Sequence, residues 1–175
     1  MQVHNTHVRR LPADPEEVGR LIDSLSAEDD RLWPLDWGPM RFDRPLDVGA
    51  VGGHGPVRYH VVGYAPGRWV RFRFTAPRGF AGFHEFSVQT GGEGAELHHL
   101  LSMRARGWAV LTWPLLWRPM HDAALEDALD RAERDLTGTV RRPARWSPWV
   151  RALRAALGLP RRSGESAQRP TISGT

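Results

Sequence analysis

Apolar and polar side chains alternate with a period of two through the middle of the chain, the pattern of strands that bury one face. The short segments APGR and GGEG between these stretches are typical of tight hairpin turns. The pattern therefore predicts two antiparallel hairpins, and a further strand lies at the start of the chain. The five predicted strands are 2–10, 57–63, 69–75, 80–90 and 95–106.

The first predicted hairpin has a register that its side chains support. Pairing Tyr64 with Trp69 across the APGR turn places Val61 opposite Phe72, and the apolar residues of both strands then share one face. A slip by one residue would turn the apolar face of one strand toward solvent. The agreement of the two faces therefore favours this pairing.

The second predicted hairpin places two histidines on its apolar face. Pairing Thr90 with Ala95 across the GGEG turn aligns an apolar face that is interrupted only by His84 and His99. Phe86 then lies opposite His99, so the two histidines become diagonal neighbours. We expect both imidazole rings to face the interior.

Helical periodicity appears in two regions. The segment 119–137 begins with a proline suited to a first turn and is followed by Gly138, a typical stop signal. Near the start, Asp14 is a favourable N-cap before Pro15, and Ser26 can cap a second short helix. The stripe of the long helix that should face the sheet consists of His121, Leu125, Ala128, Leu129, Ala132 and Leu136.

Composition narrows the class of protein. With 175 residues, of which 41% are hydrophobic, the chain suits one domain with an appendage. The absence of cysteine excludes disulfides, thiolate nucleophiles and cysteine metal sites. No apolar run is long enough to predict a membrane span, and residues 1–10 lack the apolar stretch of a signal peptide. Cytoplasmic residence is the prediction, with the inner face of the membrane as an alternative.

The net charge of +4 is unevenly distributed. Residues 1–138 contain 16 arginines against 19 acidic residues, whereas residues 139–175 contain eight arginines and a single acid. The slightly acidic first part has no electrostatic footprint for nucleic acid, so binding of nucleic acid is not predicted. We expect a folded domain over 1–138, a basic amphipathic helix over 139–162 and a disordered tail over 163–175.

The order of these elements resembles that of the START-like superfamily, also called SRPBCC, which includes polyketide cyclases and lipid-transport proteins. The matching segments are RLPADPEEVGRLID, VRYHVVGYAPGRWVRFRF, GFHEFSV and RPMHDAALEDALDRAERDL, and the resemblance covers about residues 2–138. It implies an α+β helix-grip fold, in which a curved antiparallel sheet wraps around a long C-terminal helix and two short helices follow the first strand. It also implies a cavity between sheet and helix, but no single activity.

The resemblance directs attention to side chains on the predicted interior faces. An aromatic lining suits flat apolar ligands, and ligand cavities usually measure roughly 300–1,000 Å³. The glycine-rich segment 48–56 is interpreted either as a lid or hairpin at the cavity mouth or as an ordinary sheet-edge loop. The predicted ligand-binding residues are Tyr59, Val61, Phe72, Phe74, His84, Phe86, His99, Leu101, Met103, Trp113, Trp117 and His121.

The first hypothesis for function is a non-catalytic binder or carrier of a small hydrophobic molecule. The alternative is a cyclase/aromatase-type enzyme acting on a polyketide-like substrate, with His84 or His99 as the catalytic residue that moves a proton. Whether any reaction is catalysed stays open, because no second acid in the pocket is evident. The interior histidines can equally be core residues; no HxH or HExxH spacing supports a metal site, and neither a metal nor a cofactor is predicted.

The tail leads to a third hypothesis. Ser147 can cap a short helix that ends at Gly158. Its apolar stripe contains Trp146 and Trp149, and arginines flank it, which is the composition of a membrane-surface helix. The segment 139–162 would then attach a peripheral protein to an anionic membrane or a partner. In the competing interpretation, the stripe packs on the domain as an extra helix.

Overall fold

The structure, a computed structural model, describes residues 1–159 and contains one seven-stranded antiparallel sheet. The strands are β1 Gln2–Leu11, β2 Arg41–Phe42, β3 Val51–His54, β4 Val57–Ala65, β5 Trp69–Ala76, β6 Phe80–Gly91 and β7 Gly94–Ala105. Their order in the sheet is β1-β7-β6-β5-β4-β3-β2, so the first strand pairs with the last. The five predicted strands are confirmed, and β2 and β3 extend the sheet at one edge. The segment 163–175, predicted to be disordered, lies outside the described residues.

The helices complete the predicted α+β helix-grip architecture. They are α1 Pro15–Asp23, a 3-10 turn Leu35–Trp37, α2 Ala109–Thr112, a π-helical turn Trp113–Trp117, α3 Arg118–Thr137 and α4 Pro148–Ala156. The run from α2 through the π-helical turn to α3 is uninterrupted, and Gly138 ends it in the left-handed conformation, as predicted. Within residues 1–159, no helix has both the length and the apolarity needed to cross a membrane.

The second hairpin, β6–β7, has the predicted register. Thr90 pairs with Ala95, and Phe86 pairs with His99. Both predicted interior histidines are buried, with His84 5% and His99 1% exposed. The expectation that they share one face of the sheet as diagonal neighbours is therefore confirmed.

The first hairpin, β4–β5, departs from the predicted register near its turn. Val61 pairs with Phe72 as expected, but Trp69 pairs with Ala65 and not with Tyr64. A β-bulge directly after Val61 inserts one extra residue into β4. The predicted pairing is therefore right in the body of the hairpin and wrong by one residue beside the turn.

The segment after α1 also differs in detail from the prediction. Helix α1 begins after Asp14, although the Asp14 side chain makes no capping hydrogen bond. No helix starts at Ser26, whose φ is 68°, because the Asp30 carboxylate accepts the Ser26 N–H and closes a turn instead. The second short helical element is the 3-10 turn, Leu35–Trp37, farther along the chain.

The apolar face of α3 packs against the concave face of the sheet, as predicted. Its buried residues in the main core are Ala124, Leu125, Ala128, Leu129 and Ala132. They join side chains from the sheet such as Phe72 and Phe86 in one hydrophobic cluster. Helix α1 closes the same core from the β4–β5 end, where Gly19 lies so close to the turn that a Cβ would be 2.1 Å from the Gly67 carbonyl oxygen.

The tail helix α4 docks on the domain. It is capped as predicted, because the Ser147 side chain accepts a hydrogen bond from the Val150 N–H. Trp146 and Val150 are buried. Arg154, only 2% exposed, lies between two indole rings, with its guanidinium carbon 4.4 Å from the centroid of Trp37 and 4.2 Å from that of Trp146. The packing therefore follows the competing interpretation of the tail for the described part of its stripe.

Candidate functional site

A cavity of about 220 Å³ lies between the sheet and α3. Its walls are almost wholly apolar and aromatic. The volume is smaller than the predicted range because bulky rings fill part of the space: Phe80 packs edge-on against Trp113 and Trp117, with centroids 5.8 and 5.5 Å away. A cavity of this size suits a compact molecule better than a drug-sized one.

The predicted ligand-binding residues divide into two groups. Those that line the cavity are Phe74, His84, His99, Leu101, Trp113, Trp117 and His121. Those that are buried outside its lining are Tyr59, Val61, Phe72, Phe86 and Met103. Alternation along a strand identifies the interior face. It does not show which residues of that face line the cavity and which are covered by other side chains. Whether any of the twelve contacts a ligand stays a prediction.

One wall of the cavity comes from the irregular region before β4. Trp33, Trp37 and His54 line it, and none of them was predicted. The glycine-rich segment 48–56 contains β3 and the turn to β4, so its interpretation as a hairpin at the cavity is right. Near the C-terminal end of the described chain, Leu157 lines the cavity while 56% exposed, which brings the cavity to the surface beside α4.

His84 and His99 form a hydrogen-bonded pair inside the cavity wall. His84 Nδ1 and His99 Nε2 are 3.3 Å apart, so one of these nitrogens carries the proton and the other accepts it. The outer atoms, His84 Nε2 and His99 Nδ1, are buried and have no hydrogen-bond partner within residues 1–159. In either arrangement of protons, one outer nitrogen is a donor and the other is an acceptor.

Aromatic rings enclose His84. The centroids of Tyr59 and Phe72 are each 4.8 Å from that of His84, and the centroid of Phe74 is 5.1 Å away. Burial in this surrounding lowers the pKa of His84 well below its usual range, and the nearby His54 acts in the same direction. Burial likewise lowers the pKa of His99. Both rings are therefore neutral near pH 7.

A row of polar side chains, here called the polar row, joins β1 to α3 beside the cavity. It consists of Asn5, His7 and Arg9 on β1 and of Asp122, Glu126, Asp130 and Glu133 on α3. Arg9 donates to Asp130 Oδ1 at 2.9 Å and to Glu133 Oε2 at 2.5 Å. These ion pairs hold one edge of the long helix, whereas apolar side chains hold its centre.

His7 lies in the polar row close to two of the cavity histidines, His99 and His121. Its Nδ1 is 2.8 Å from Glu126 Oε1, and its Nε2 is 3.3 Å from Asp122 Oδ1. Burial by itself lowers the pKa of His7, but the hydrogen bonds to Asp122 and Glu126 outweigh it and raise the pKa to about 9. The His7 ring lies 5.8 Å, centroid to centroid, from that of His121, which lines the cavity.

The polar row was not predicted, although the sequence contains a signal for it. Residues 5, 7 and 9 share one face of a strand, and residues 122, 126 and 130 share one face of a helix. Both faces are polar, and a polar interior face needs a complementary partner. Matching the two would have required knowing that β1 lies beside the long helix.

Comparisons with known proteins bear on the fold. No protein-family model matches the sequence, and no curated protein matches it either. Among solved structures, the di-domain aromatase/cyclase StfQ from the steffimycin biosynthetic pathway aligns with a TM-score of 0.63 and 11% identity, over 79% of this chain and 51% of that chain. This chain thus spans about half the length of that protein.

Two further alignments cover nearly the whole length of the matched chain. A point mutant of norcoclaurine synthase from Thalictrum flavum, in complex with a transition-state analogue, gives a TM-score of 0.59 and 11% identity over 77% of this chain and 96% of that one. CalU16 from Micromonospora echinospora gives 0.54 and 14% over 90% and 92%. At these identities, the likeness concerns the fold alone. The chain has the helix-grip fold predicted from its sequence.

Proposed function

We propose that the protein binds or carries a compact hydrophobic molecule in the cavity between the sheet and α3. The observation that carries this proposal is the coincidence of apolar walls with the unpartnered outer nitrogens of His84 and His99 within the described chain. Burial of apolar ligand surface supplies affinity, at about 25 cal/mol per Å². A ligand hydroxyl or carbonyl that met one of these nitrogens would add about 1–3 kcal/mol, because the nitrogen is already removed from water.

Native mass spectrometry of the protein purified from its own host tests this proposal. We expect one small apolar molecule per chain, and we expect the melting temperature of stripped protein to rise when that molecule is returned. The variant Ala124→Phe adds a ring to a buried residue of the lining and should abolish binding. Its matched control is Ala123→Phe, the adjacent position on α3 outside the lining, which should bind as the wild type does.

Two results would contradict the proposal. The first is protein that purifies without a bound molecule and whose melting temperature no compact apolar compound changes. The second is an Ala124→Phe variant that is folded and binds as tightly as the wild type, since the ligand would then occupy another place.

An enzyme of the cyclase/aromatase type is the second candidate, and the His84–His99 contact is the observation that favours it. One outer nitrogen of the pair can take a proton from a carbon next to a carbonyl, while the other gives a proton to the oxygen of a second carbonyl. The new carbon–carbon bond closes a ring on a polyketide-like substrate. Among residues 1–159 no carboxylate lines the cavity, so the pair would supply both functions.

Product analysis after incubation with a short poly-β-ketone thioester analogue tests this candidate. Cyclised product should form with the wild type and should fall at least tenfold with His84→Phe, because one member of the donor–acceptor pair is lost. Equal amounts of product with both proteins would assign the cyclisation to the solvent. In that case the cavity would be a binding site without chemistry.

Attachment to an anionic membrane is the third candidate. An apolar patch, here called the α2–α4 patch, consists of Trp108, Leu111, Leu115 and Trp149, with exposures of 81, 57, 62 and 52%. The indole N–H of Trp149 donates to the Leu115 carbonyl oxygen at 2.8 Å, which joins α4 to the helical run beside the cavity. Exposed tryptophan beside a basic tail supports docking on the inner face of the membrane, where a hydrophobic ligand would be exchanged.

A further inference from the structure

Three side chains form a compact group of nitrogen and oxygen donors where β1 meets α3. His7 Nε2 is 3.3 Å from Asp122 Oδ1, and His121 Nδ1 is 3.6 Å from the same oxygen. One ligand atom from each residue lies within 4.8 Å of the other two. Bonds of about 2.0–2.1 Å at a tetrahedral zinc ion place neighbouring donor atoms roughly 3.3–3.4 Å apart. The two distances at Asp122 Oδ1, 3.3 and 3.6 Å, are therefore close to those of a first coordination shell.

The burial of His121 is a second observation that points to a bound cation. Both of its ring nitrogens are buried, and neither has a hydrogen-bond partner in the described part of the chain. A buried imidazole without partners is costly, because it has lost its bonds to water and gained none. A cation bound at Nδ1 would provide one of the two missing partners. The residue lies on α3 and lines the cavity, so such a cation would be at the cavity wall.

The surroundings of the group are those of a metal site with oriented ligands. His7 uses its other nitrogen, Nδ1, to reach Glu126 Oε1 at 2.8 Å, and a carboxylate in this position fixes the ring of a metal-bound histidine. Asn5 Nδ2 donates to Asp122 Oδ1 at 2.9 Å, and Arg118 Nε lies 3.6 Å from the second oxygen of Asp122. The carboxylate is thereby held with one oxygen toward the two imidazoles.

We infer that His7, His121 and Asp122 bind a divalent transition-metal ion of the zinc class. Two imidazoles and one carboxylate are a donor set that suits zinc, iron or nickel better than calcium or magnesium. Three protein ligands leave a further coordination position for water or for a group on a ligand. The inference does not depend on the proposed function, since an ion that joins β1 to α3 would stabilise the fold with the cavity empty.

Titration of the chelator-treated, full-length protein with Zn²⁺ tests the inference, with Co²⁺ as a spectroscopic substitute. We expect one equivalent per chain, a rise in melting temperature on addition of the ion, and a visible cobalt absorption band of a four-coordinate site. His7→Ala, His121→Ala and Asp122→Asn should each weaken zinc binding by at least about 100-fold. Glu126→Gln should weaken it about 10- to 100-fold, because it only orients His7.

The matched control is His4→Ala, on the same strand but exposed on its other face, which should bind zinc as the wild type does. Wild-type protein that is folded and takes up no stoichiometric zinc or cobalt would overturn the inference. So would ligand variants that retain wild-type zinc affinity. If His7→Ala does not fold, Glu126→Gln and the wild-type titration still decide the question. A loss of stability in these variants that is the same with and without zinc would instead make the group a metal-free clamp.

Discussion

His99 Nε2 lies 3.3 Å from His84 Nδ1, and the pair packs against aromatic rings. In this contact the two rings satisfy each other on one side only, and the outer nitrogens have no partner within the described residues. On the proposed function, the pair contributes more to ligand affinity than to the stability of the empty fold. Replacement of one ring tests this distinction.

We predict that His84→Leu weakens ligand binding about tenfold, the effect of about 1.4 kcal/mol, while the free energy of unfolding changes by less than about 1 kcal/mol. The reason is that an apolar side chain of similar size replaces a polar group that was never fully paired. Calorimetric titration and urea denaturation measure the two quantities. In the control Val61→Ala, a buried residue outside the lining, stability should fall and affinity should not. The reverse pattern would make His84 a structural residue.

We predict that Gly19→Ala destabilises the protein by at least about 2 kcal/mol, although alanine favours helices over glycine by about 1 kcal/mol. The added Cβ would meet the Gly67 carbonyl oxygen at 2.1 Å, so α1 must move away from the β4–β5 turn. Urea denaturation measures the change. Glu16→Ala, an exposed position on the same helix, is the control and should have little effect. A neutral Gly19→Ala would mean that α1 does not rest on the turn.

We predict that Arg154→Ala releases α4 from the domain. Each cation–π contact contributes about 0.5–2 kcal/mol, and the Arg154 guanidinium has one with Trp37 and one with Trp146. Hydrogen exchange of the α4 amides should accelerate more than tenfold, with little change in the sheet. Arg142→Ala, exposed in the connection before α4, is the control. Unchanged protection of α4 in Arg154→Ala would mean that other contacts dock the helix.

We predict a pH-dependent loss of stability that depends on His54. Burial lowers the pKa of His54 to about 3, whereas an unfolded histidine titrates near about 6.5. Between these values only the unfolded state takes up the proton, so this stability is present above about pH 6.5 and is lost at about 1.4 kcal/mol per unit as the pH falls. His54→Gln should reduce that slope in urea denaturation between about pH 7 and about pH 5. His4→Gln, on the surface, should not.

We predict that the protein co-sediments with anionic vesicles at low salt and less at high salt. The arginines of the segment 139–162 attract the anionic surface only over about one Debye length, which salt shortens. The double variant Leu115→Ser/Trp149→Ser removes the centre of the α2–α4 patch and should reduce co-sedimentation severalfold. Val8→Ser, a partly exposed apolar residue of β1, is the control. Equal sedimentation of all three proteins, or of none, would contradict attachment through the patch.

The register of the sheet could be predicted because successive side chains point to opposite faces of the sheet. Each strand then has only two orientations, and only one of them buries its apolar residues. The exception beside the β4–β5 turn has a physical cause that the sequence contains. A Cβ on Gly63 would lie 2.7 Å from the Trp69 ring, so the ring packs on a bare backbone where the strand bulges. The sequence signal for this bulge is a glycine within a strand pattern that lies near a tryptophan across the turn.

The candidate site was only partly predictable. His84 and His99 follow from local alternation, which needs no knowledge of other elements. Trp33 lies in an irregular stretch, and His54 ends β3, a strand of four residues that is too short and too rich in glycine to show a period, so no pattern places them. The group of His7, His121 and Asp122 joins the first strand to the long helix, and no short motif can indicate ligands so far apart in the chain.

The pairing of the first strand with the last has a consequence for how the protein folds. Gln2 pairs with Arg104, so the contact closes a loop that contains nearly the whole sheet, and the entropy cost of closing a loop grows with its length. The β4–β5 and β6–β7 hairpins need no such closure and can form early, whereas β1 has no strand partner until β7 is in place. Chains rich in distant pairings fold slowly. We therefore expect the polar row, and with it the cavity wall beside α3, to be completed in the slowest step of folding.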